Sequence, residues 1–266
     1  MRKLALAPTS LPEAKPMEFI AAAREADFDG VGLRLNRSPG LPFHPVAENA
    51  ALVREMKRAL SDANLFVLDI LSFYLQPATD FAGFEPALQL GAEMGAKYAM
   101  VIGDDPDWPR LSDNFGRFCD QAGRVGLSAV IEFVAYRPLA TLALAQRIVA
   151  ETGRQNAVIC VDPLHFARSG GKPADVRGVA PKLLPYMQLS DGVLFPGEPP
   201  AQRKAPGERR MPGEGTLPLK ELLAAMPPGI PLSVEVATAE TSRMPPGDWA
   251  KLVMDRTRRF LAAHDR

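Results

Sequence analysis

The sequence has little of what marks several common classes of protein. It contains only two cysteines, Cys119 and Cys160, among 266 residues, which is too few for a disulfide framework. Its 31 basic and 31 acidic residues cancel, and no long run of one sign occurs, whereas a nucleic-acid-binding protein usually presents a basic face. These absences favour a globular protein that binds a small molecule and no nucleic acid.

Long hydrophobic stretches are also missing. No segment approaches the roughly 20 consecutive apolar residues that a membrane-spanning helix needs. The apolar stretch that precedes Pro8 is too short for the hydrophobic part of a secretory signal. We therefore expect a cytoplasmic protein that has no membrane partner.

Short apolar runs recur along the whole chain. They are rich in Val, Ile, Leu and Ala without clean alternation, which is typical of buried parallel strands. The eight predicted strands are Lys3–Ala7, Gly30–Leu35, Phe66–Ile70, Lys97–Ile102, Ser128–Val134, Ala157–Asp162, Tyr186–Ser190 and Leu232–Val236.

Amphipathic segments at helical spacing separate these strands. The predicted helices are Met17–Ala26, Val46–Ala63, Phe84–Gly95, Leu111–Val125, Pro138–Thr152, Pro173–Leu184, Leu219–Met226 and Trp249–Ala263. Regular strand–helix alternation favours parallel pairing with right-handed crossovers. The pattern predicts an α/β protein, a (β/α)₈ TIM barrel that forms a single domain over residues 1–266. An open doubly wound sheet is the alternative, but no glycine-rich phosphate motif follows the first strand.

Four polar residues stand in apolar surroundings at the ends of predicted strands: Glu132, Asp162, Gln188 and Glu235. A buried carboxylate is costly unless it is paired, hydrogen-bonded or bound to a metal. In one barrel these side chains converge on the axis, where like charges repel. Oxygen ligands suit Mg²⁺, Mn²⁺ or a similar ion, so we expect one divalent metal ion on the face where barrel enzymes carry their active sites.

Two connections on that face have further candidate residues. The long segment Asp191–Leu217 has no helical period, and a loop of this length in a compact domain is usually functional or disordered. His44 lies in the loop after the second strand and is a candidate to face a substrate. Trp108 follows the fourth strand and either stacks on a substrate or packs against the protein.

Several short motifs together resemble the xylose-isomerase-like superfamily, which is often described as sugar phosphate isomerase/epimerase proteins. They are Phe28-Asp29-Gly30-Val31, Glu132, the Asp-x-x-His pair Asp162 and His165, Asp191-Gly192, Pro212-Gly213-Glu214-Gly215 and Glu235. The resemblance covers nearly the whole chain. It implies that Glu132, Asp162, Gln188 and Glu235 are metal ligands, that His165 reaches the substrate, and that Arg209 or Arg210 helps to bind it.

The resemblance also implies a reaction class. We expect proton abstraction next to a carbonyl of a polyol or keto sugar, with Glu132 and Glu235 as acid and base. Returning the proton gives an epimer or an isomer, whereas loss of a β-hydroxyl gives a dehydratase. The sequence leaves these alternatives open, as it does a barrel that binds a sugar or a metal without turnover. Relatives often form homo-oligomers, so self-association is a possible partner interaction.

Gln188 departs from the pattern of many sugar epimerases, which have histidine at this place. Glutamine also occurs there in relatives that dehydrate cyclic ketones, such as 3-dehydroshikimate or an inosose. The apurinic-site endonucleases of the superfamily bind several zinc ions through many histidines, and this chain has only three histidines. The sequence therefore favours an isomerase or epimerase, with a dehydratase (lyase) as the second reading, and disfavours a nuclease.

Overall fold

The computed structural model describes residues 2–194 and 209–264. The apolar runs form parallel strands, and two short strands form a separate antiparallel pair. In chain order the strands are β1 (Leu4–Leu6), β2 (Gly30–Arg34), β3 (Phe66–Leu75), β4 (Tyr98–Gly103), β5 (Ser128–Glu132), β6 (Ala157–Cys160), β7 (Met187–Leu189), β8 (Asp191–Gly192), β9 (Arg209–Arg210) and β10 (Leu232–Val234).

Eight of these strands make one parallel sheet that wraps around an axis. Its order is β6-β5-β4-β3-β2-β1-β10-β7. The two edges meet at a parallel bridge between Val161 and Met187, where the amide of Gln188 donates to the Val161 carbonyl over 3.1 Å. The predicted single-domain (β/α)₈ barrel is therefore confirmed, and β10 is the eighth strand of the barrel.

Helices surround the sheet, as the amphipathic segments predict. They are α1 (Pro16–Glu25), α2 (Ala50–Asp62), α3 (Phe81–Glu93), α4 (Trp108–Arg124), α5 (Leu142–Thr152), α6 (Pro163–Arg168), α7 (Pro173–Arg177), α8 (Leu219–Ala225) and α9 (Pro246–His264). Short 3-10 helices cover Pro8–Ser10, Val46–Glu48, Pro181–Leu183 and Thr241–Arg243. Within the described part of the chain, none of the helices has the length and apolar character to cross a membrane.

Two apolar clusters hold the barrel together. The larger lies between the sheet and the helices and includes fully buried Trp249 and Phe115. The smaller consists of inward-facing residues from several strands: Ala5, Leu68, Leu71, Met100, Val130, Val158, Cys160 and Tyr186. Cys160 thus serves as a small interior side chain, as its apolar context predicts.

The predicted helix Pro173–Leu184 is shorter than expected, because α7 ends at Arg177 and a separate 3-10 helix covers Pro181–Leu183. The structure also differs from the sequence prediction in three other places. Strand β3 continues to Leu75, five residues beyond the predicted end. An unpredicted helix, α6, begins directly after Asp162, whose side chain accepts from the amide of His165 and caps it. The long connection after the seventh strand contains the β8–β9 pair, in which Asp191 is opposite Arg210 and Gly192 is opposite Arg209.

Candidate active site

Strand alternation turns the four predicted metal ligands toward the barrel axis. Successive side chains of a strand point to opposite faces, and residues two positions earlier belong to the inner cluster: Val130, Cys160 and Tyr186. Glu132, Asp162 and Gln188 therefore continue the inward face of β5, β6 and β7. Glu235 comes directly after β10. All four side chains are buried, and they meet at the carboxyl ends of the strands.

A buried arginine joins two of these residues. Nη2 of Arg209 lies 2.7 Å from Oδ2 of Asp162 and 3.2 Å from Oε1 of Glu235. The other Asp162 oxygen accepts from the amide of His165 over 2.9 Å. Asp162 is thus fixed by one backbone donor and one guanidinium, as a buried carboxylate requires.

Of the remaining polar atoms of the cluster, some have a hydrogen-bond partner and others have none among the described residues. The Gln188 amide nitrogen donates to Oε2 of Glu235. Among the described residues, however, Oε1 of Gln188 and Nδ1 of His165 are buried without a hydrogen-bond partner. No described residue donates a hydrogen bond to Glu132. Buried atoms of this kind are rare in folded proteins and point to a ligand or an ion.

Burial and mutual repulsion raise the pKa of two carboxyl groups. Burial raises the pKa of Glu132 well above its usual value, and the charges of Glu235 and Asp162 add to this effect. The pKa of Glu235 is also raised by burial, although Arg209 opposes the shift. Both groups therefore hold a proton more readily than a carboxyl group in water, as acid–base residues do.

The ion pair has the opposite effect on its own members. Burial alone would raise the pKa of Asp162, but the charge of Arg209, the effect of His165 and the hydrogen bonds from both residues together outweigh it, and the net pKa is lowered. Burial likewise opposes the charge on Arg209, yet Asp162 and Glu235 raise the pKa of the guanidinium. Burial lowers the pKa of His165 to about 4, so its imidazole is neutral at physiological pH.

The donor set fits a divalent cation. One ligand atom from each of Glu132, Asp162 and His165 lies within 4.8 Å of the others, and the free oxygen of Gln188 is nearby in the same cluster. When Glu132, Asp162 and Glu235 are all ionised, these three carboxylates and the Arg209 guanidinium leave a surplus of two negative charges. A divalent ion would cancel this surplus and the repulsion that raises the two pKa values.

The cluster forms the floor of an open cavity of about 370 Å³. This volume is near the lower end for small-molecule sites, which favours a small substrate. Glu132, His165, Gln188, Arg209 and Glu235 all line it. The other walls come from the end of β3 and from the segments after β1, β2 and β5: Thr9, Ser38, Pro39, Gly40, Leu41, Ser72, Tyr74, Val134, Tyr136 and Arg137.

Asp191 organises the segment that carries Arg209. Its Oδ1 accepts from the amides of Gly192 and Leu217 over 2.8 and 3.2 Å, and its Oδ2 accepts from the amide of Gly213 over 3.0 Å. A Cβ atom on Gly215 would lie only 2.2 Å from Oδ1 of Asp191, so this glycine is needed for the close approach. The Asp-Gly and Pro-Gly-Glu-Gly motifs thus form one unit.

Three other candidate residues do not line this cavity. Arg210 follows Arg209 in β9 and faces a neighbouring cavity because strand residues alternate. His44 lines a separate small cavity beside Arg34. Trp108 lies at the start of α4, where its indole donates to Glu151 over 2.8 Å and the Arg147 guanidinium covers its ring at 4.4 Å.

Sequence reasoning assigned no role to three residues in or near the site. Arg137 lines the cavity, but it follows β5 beside Tyr136 in a context that left its role ambiguous. Tyr74 also lines the cavity, in the part of β3 that continues beyond the predicted end of the strand. Asp69 is buried inside the barrel and accepts from the hydroxyl of Tyr186 over 2.7 Å. The signal for Asp69 was present, because it is a lone carboxylate within the apolar run of β3.

Comparisons with known proteins agree with this architecture. The family model described as xylose isomerase-like TIM barrel matches residues 20–260. Comparison with curated protein sequences gives no significant match. Among solved structures, the IOLI protein, in a structure with a zinc atom, superimposes with a TM-score of 0.83 at 16% identity, covering 98% of this chain and 99% of that one.

Two further structures illustrate the range of the fold. The probable 3-DHS dehydratase AsbF from Bacillus anthracis has a TM-score of 0.75 at 16% identity and covers 95% of this chain and 97% of its own. D-psicose 3-epimerase, determined in the presence of D-fructose, has a TM-score of 0.70 at 17% identity and covers 98% and 97%. At such low identity these similarities establish a shared fold.

Proposed function

The chain belongs to the xylose isomerase-like TIM barrel family, and from this premise we propose that it is a divalent-metal-dependent isomerase or epimerase of a keto sugar or related polyol. The observation that carries the proposal is the pair Glu132 and Glu235, two buried carboxyl groups with raised pKa values in one cavity. Two such groups suit the removal of a proton next to a carbonyl and its return.

The surroundings of the two carboxyl groups suggest different roles for them. Glu235 is held by Gln188 and Arg209, whereas no described residue donates to Glu132. Glu132 is therefore the more mobile proton acceptor, and Glu235 is the oriented partner on the other side of the cavity floor. Metal ligation and proton transfer by the same carboxyl group are compatible, because each carboxyl group has two oxygens.

The neighbouring side chains complete the site. A divalent ion held by Glu132, Asp162, Gln188 and Glu235 would supply Lewis-acid polarisation of a substrate carbonyl. His165 is neutral and buried at the cavity wall, so its imidazole can exchange hydrogen bonds with a substrate hydroxyl. Arg209 places a fixed positive charge where negative charge develops on the substrate oxygen.

A dehydratase of a cyclic ketone, such as 3-dehydroshikimate or an inosose, is the second candidate. Gln188 favours it, because this neutral amide stands where many epimerases of the family have histidine. Structural similarity to the probable 3-DHS dehydratase is consistent with it. The same acid–base pair would then remove the proton while a neighbouring hydroxyl leaves.

Solvent exchange distinguishes these reactions. Protein loaded with Mg²⁺ is incubated in D₂O with a panel of ketoses and cyclic hydroxyketones, and NMR follows the proton next to each carbonyl. An isomerase or epimerase incorporates deuterium into an isomeric product, whereas a dehydratase releases water and forms a conjugated product that absorbs in the ultraviolet. Glu132→Gln is the matched control. Binding of a sugar without exchange in any member of the panel would instead indicate a binding protein.

A further inference from the structure

The wall of the cavity beyond the carboxylate cluster has its own cation. Tyr74 at the end of β3 and Tyr136 and Arg137 after β5 line this wall. The Arg137 guanidinium lies 5.7 Å from the centroid of the Tyr136 ring and 6.0 Å from that of Tyr74. We call these three residues the aromatic–arginine wall.

Arg137 is held in place before any substrate arrives. Its Nη1 donates to both oxygens of Asp104 at 2.9 Å. Asp104 is itself anchored, because its amide donates to the Leu75 carbonyl over 2.9 Å and its Oδ2 accepts from Gln76 over 3.2 Å. A side chain that is ordered in advance loses less conformational entropy when it binds a ligand.

The pairing with Asp104 leaves part of the guanidinium available. Among the described residues, only Asp104 accepts hydrogen bonds from the Arg137 side chain, and both of these bonds come from Nη1. The edge formed by Nε and Nη2 carries the fork of donors that matches a carboxylate or a phosphate. The Arg137 side chain is 33% exposed, and the residue lines the cavity.

The wall adjoins His165 and lines the same cavity as the acid–base pair. The Tyr136 ring lies 5.6 Å from the His165 ring and 5.7 Å from the Arg137 guanidinium, so these two groups are no further apart than the two distances together. Burial raises the pKa of Tyr74 to about 12, and the Glu132 carboxylate contributes to the rise. Tyr74 therefore stays protonated at physiological pH and can donate a hydrogen bond in the cavity that Glu132 and Arg137 also line.

We propose that Arg137 determines specificity by binding an anionic group, carboxylate or phosphate, at the end of the substrate remote from the reacting carbonyl. The inference rests on the proposed function, because it assumes that the substrate occupies this cavity. It names the substrate class as a polyhydroxy ketone with an anionic group at its far end. Because Arg137 lies at the wall and the acid–base pair at the floor of the cavity, the substrate binds in one orientation, with its carbonyl toward Glu132 and Glu235.

Binding measurements test the inference without requiring turnover. Isothermal titration of the Mg²⁺-loaded protein compares D-fructose, D-fructose 6-phosphate and 5-keto-D-gluconate, which represent a neutral, a phosphorylated and a carboxylated ketose. We expect one charged probe to bind at least tenfold more tightly than D-fructose. Comparison of the phosphorylated probe with the carboxylated probe identifies which anionic group the site prefers. Arg137→Gln should lower that preference to less than threefold, and Arg137→Lys should restore part of it.

Arg154→Gln is the matched control. Arg154 pairs with Asp120 at 2.8 Å on the outer surface, and its substitution removes the same charge as Arg137→Gln. Thermal melts monitor folding of every variant. Equal preference in wild type and folded Arg137→Gln, or no preference in the wild type, would overturn the inference. If the inference fails in this way but neutral ketoses are still turned over, the proposed function remains valid. If binding depends on Arg137 but no probe exchanges deuterium, the anion site is supported and the proposed function is wrong.

Discussion

Arg209 and Asp162 form an ion pair across 2.7 Å, and their side chains are 3% and 0% exposed. Asp162 is a predicted metal ligand, and Arg209 also contacts the predicted ligand Glu235. The guanidinium therefore lies where it repels an incoming cation. It also reduces the repulsion among the carboxylates when no cation is bound.

Replacement of Arg209 should consequently strengthen metal binding. We expect Arg209→Gln to bind Mn²⁺ about tenfold more tightly, since removal of one nearby positive charge is worth of order 1.4 kcal/mol, while turnover falls because the substrate oxygen loses a cationic partner. Titration calorimetry with Mn²⁺ measures the affinity. Arg210→Gln removes the adjacent exposed arginine and should leave the affinity unchanged. Weaker Mn²⁺ binding in Arg209→Gln would show that the arginine orients the ligands instead.

Metal content should depend on the carboxylate cluster. Protein dialysed against Mn²⁺ and then against buffer should retain about one ion per chain by elemental analysis, in line with the charge surplus of the site. The double variant Glu132→Ala, Asp162→Ala should retain none. Equal retention by both proteins would show that the ion binds elsewhere and that the carboxylate cluster is not the metal site.

Loss of either acid–base carboxyl group should abolish turnover. Glu235→Gln and Glu132→Gln keep the size of the side chain but cannot exchange a proton, so we expect kcat to fall by at least about 10²-fold with an unchanged circular dichroism spectrum. His264→Ala, at the exposed end of α9, should match the wild type. Substantial activity in Glu235→Gln would rule out its assigned role.

Asp69 should make stability depend on pH. Burial raises its pKa from 3.8 to about 7, opposed by the hydrogen bond from Tyr186. Between these two values the folded protein holds a proton that the unfolded chain has released, so the contribution of Asp69 to stability falls as pH rises from about 4 to about 7. The total is of order 4 kcal/mol.

Urea unfolding of metal-free protein at pH 5, 6, 7 and 8 measures this effect. Asp69→Asn keeps an acceptor for Tyr186 but does not ionise. Its free energy of unfolding should therefore increase relative to that of the wild type as pH rises. Asp113→Asn on the exposed face of α4 serves as the control. Parallel curves for wild type and Asp69→Asn would mean that Asp69 does not bind a proton in this range.

Much of the barrel follows from local pattern. The ends of β5 and β6 could be predicted because Glu132 and Asp162 interrupt strongly apolar runs, and alternation then assigns their direction. The position of Arg209 could not be predicted, since only the β8–β9 pairing decides which of two adjacent arginines faces inward. The role of the aromatic–arginine wall was ambiguous from the sequence for a related reason. Its residues come from the end of β3 and from the segment after β5, and only the closed barrel brings these two places together.

Gly215 should be intolerant of substitution. Its Cβ would lie 2.2 Å from Oδ1 of Asp191 and 2.3 Å from the Gly192 carbonyl oxygen, so Gly215→Ala should cost about 1–3 kcal/mol and lower turnover through displacement of Arg209. Thermal melts and kcat measure the two effects. Gly178→Ala, where a Cβ meets only an ordinary contact at 3.5 Å, should be nearly neutral. A fully active and stable Gly215→Ala would show that the segment adapts.

The three amide hydrogen bonds accepted by Asp191 have a consequence for how the rim of the barrel responds to a disturbance. Asp191 ties Gly192 to Gly213 and Leu217, so two stretches that are distant in the chain are joined through one carboxylate. A displacement of residues 213–217 is therefore passed directly to Asp191, which follows β7 in the same chain segment as Gln188. The rim and the carboxylate cluster thus move together or stay in place together.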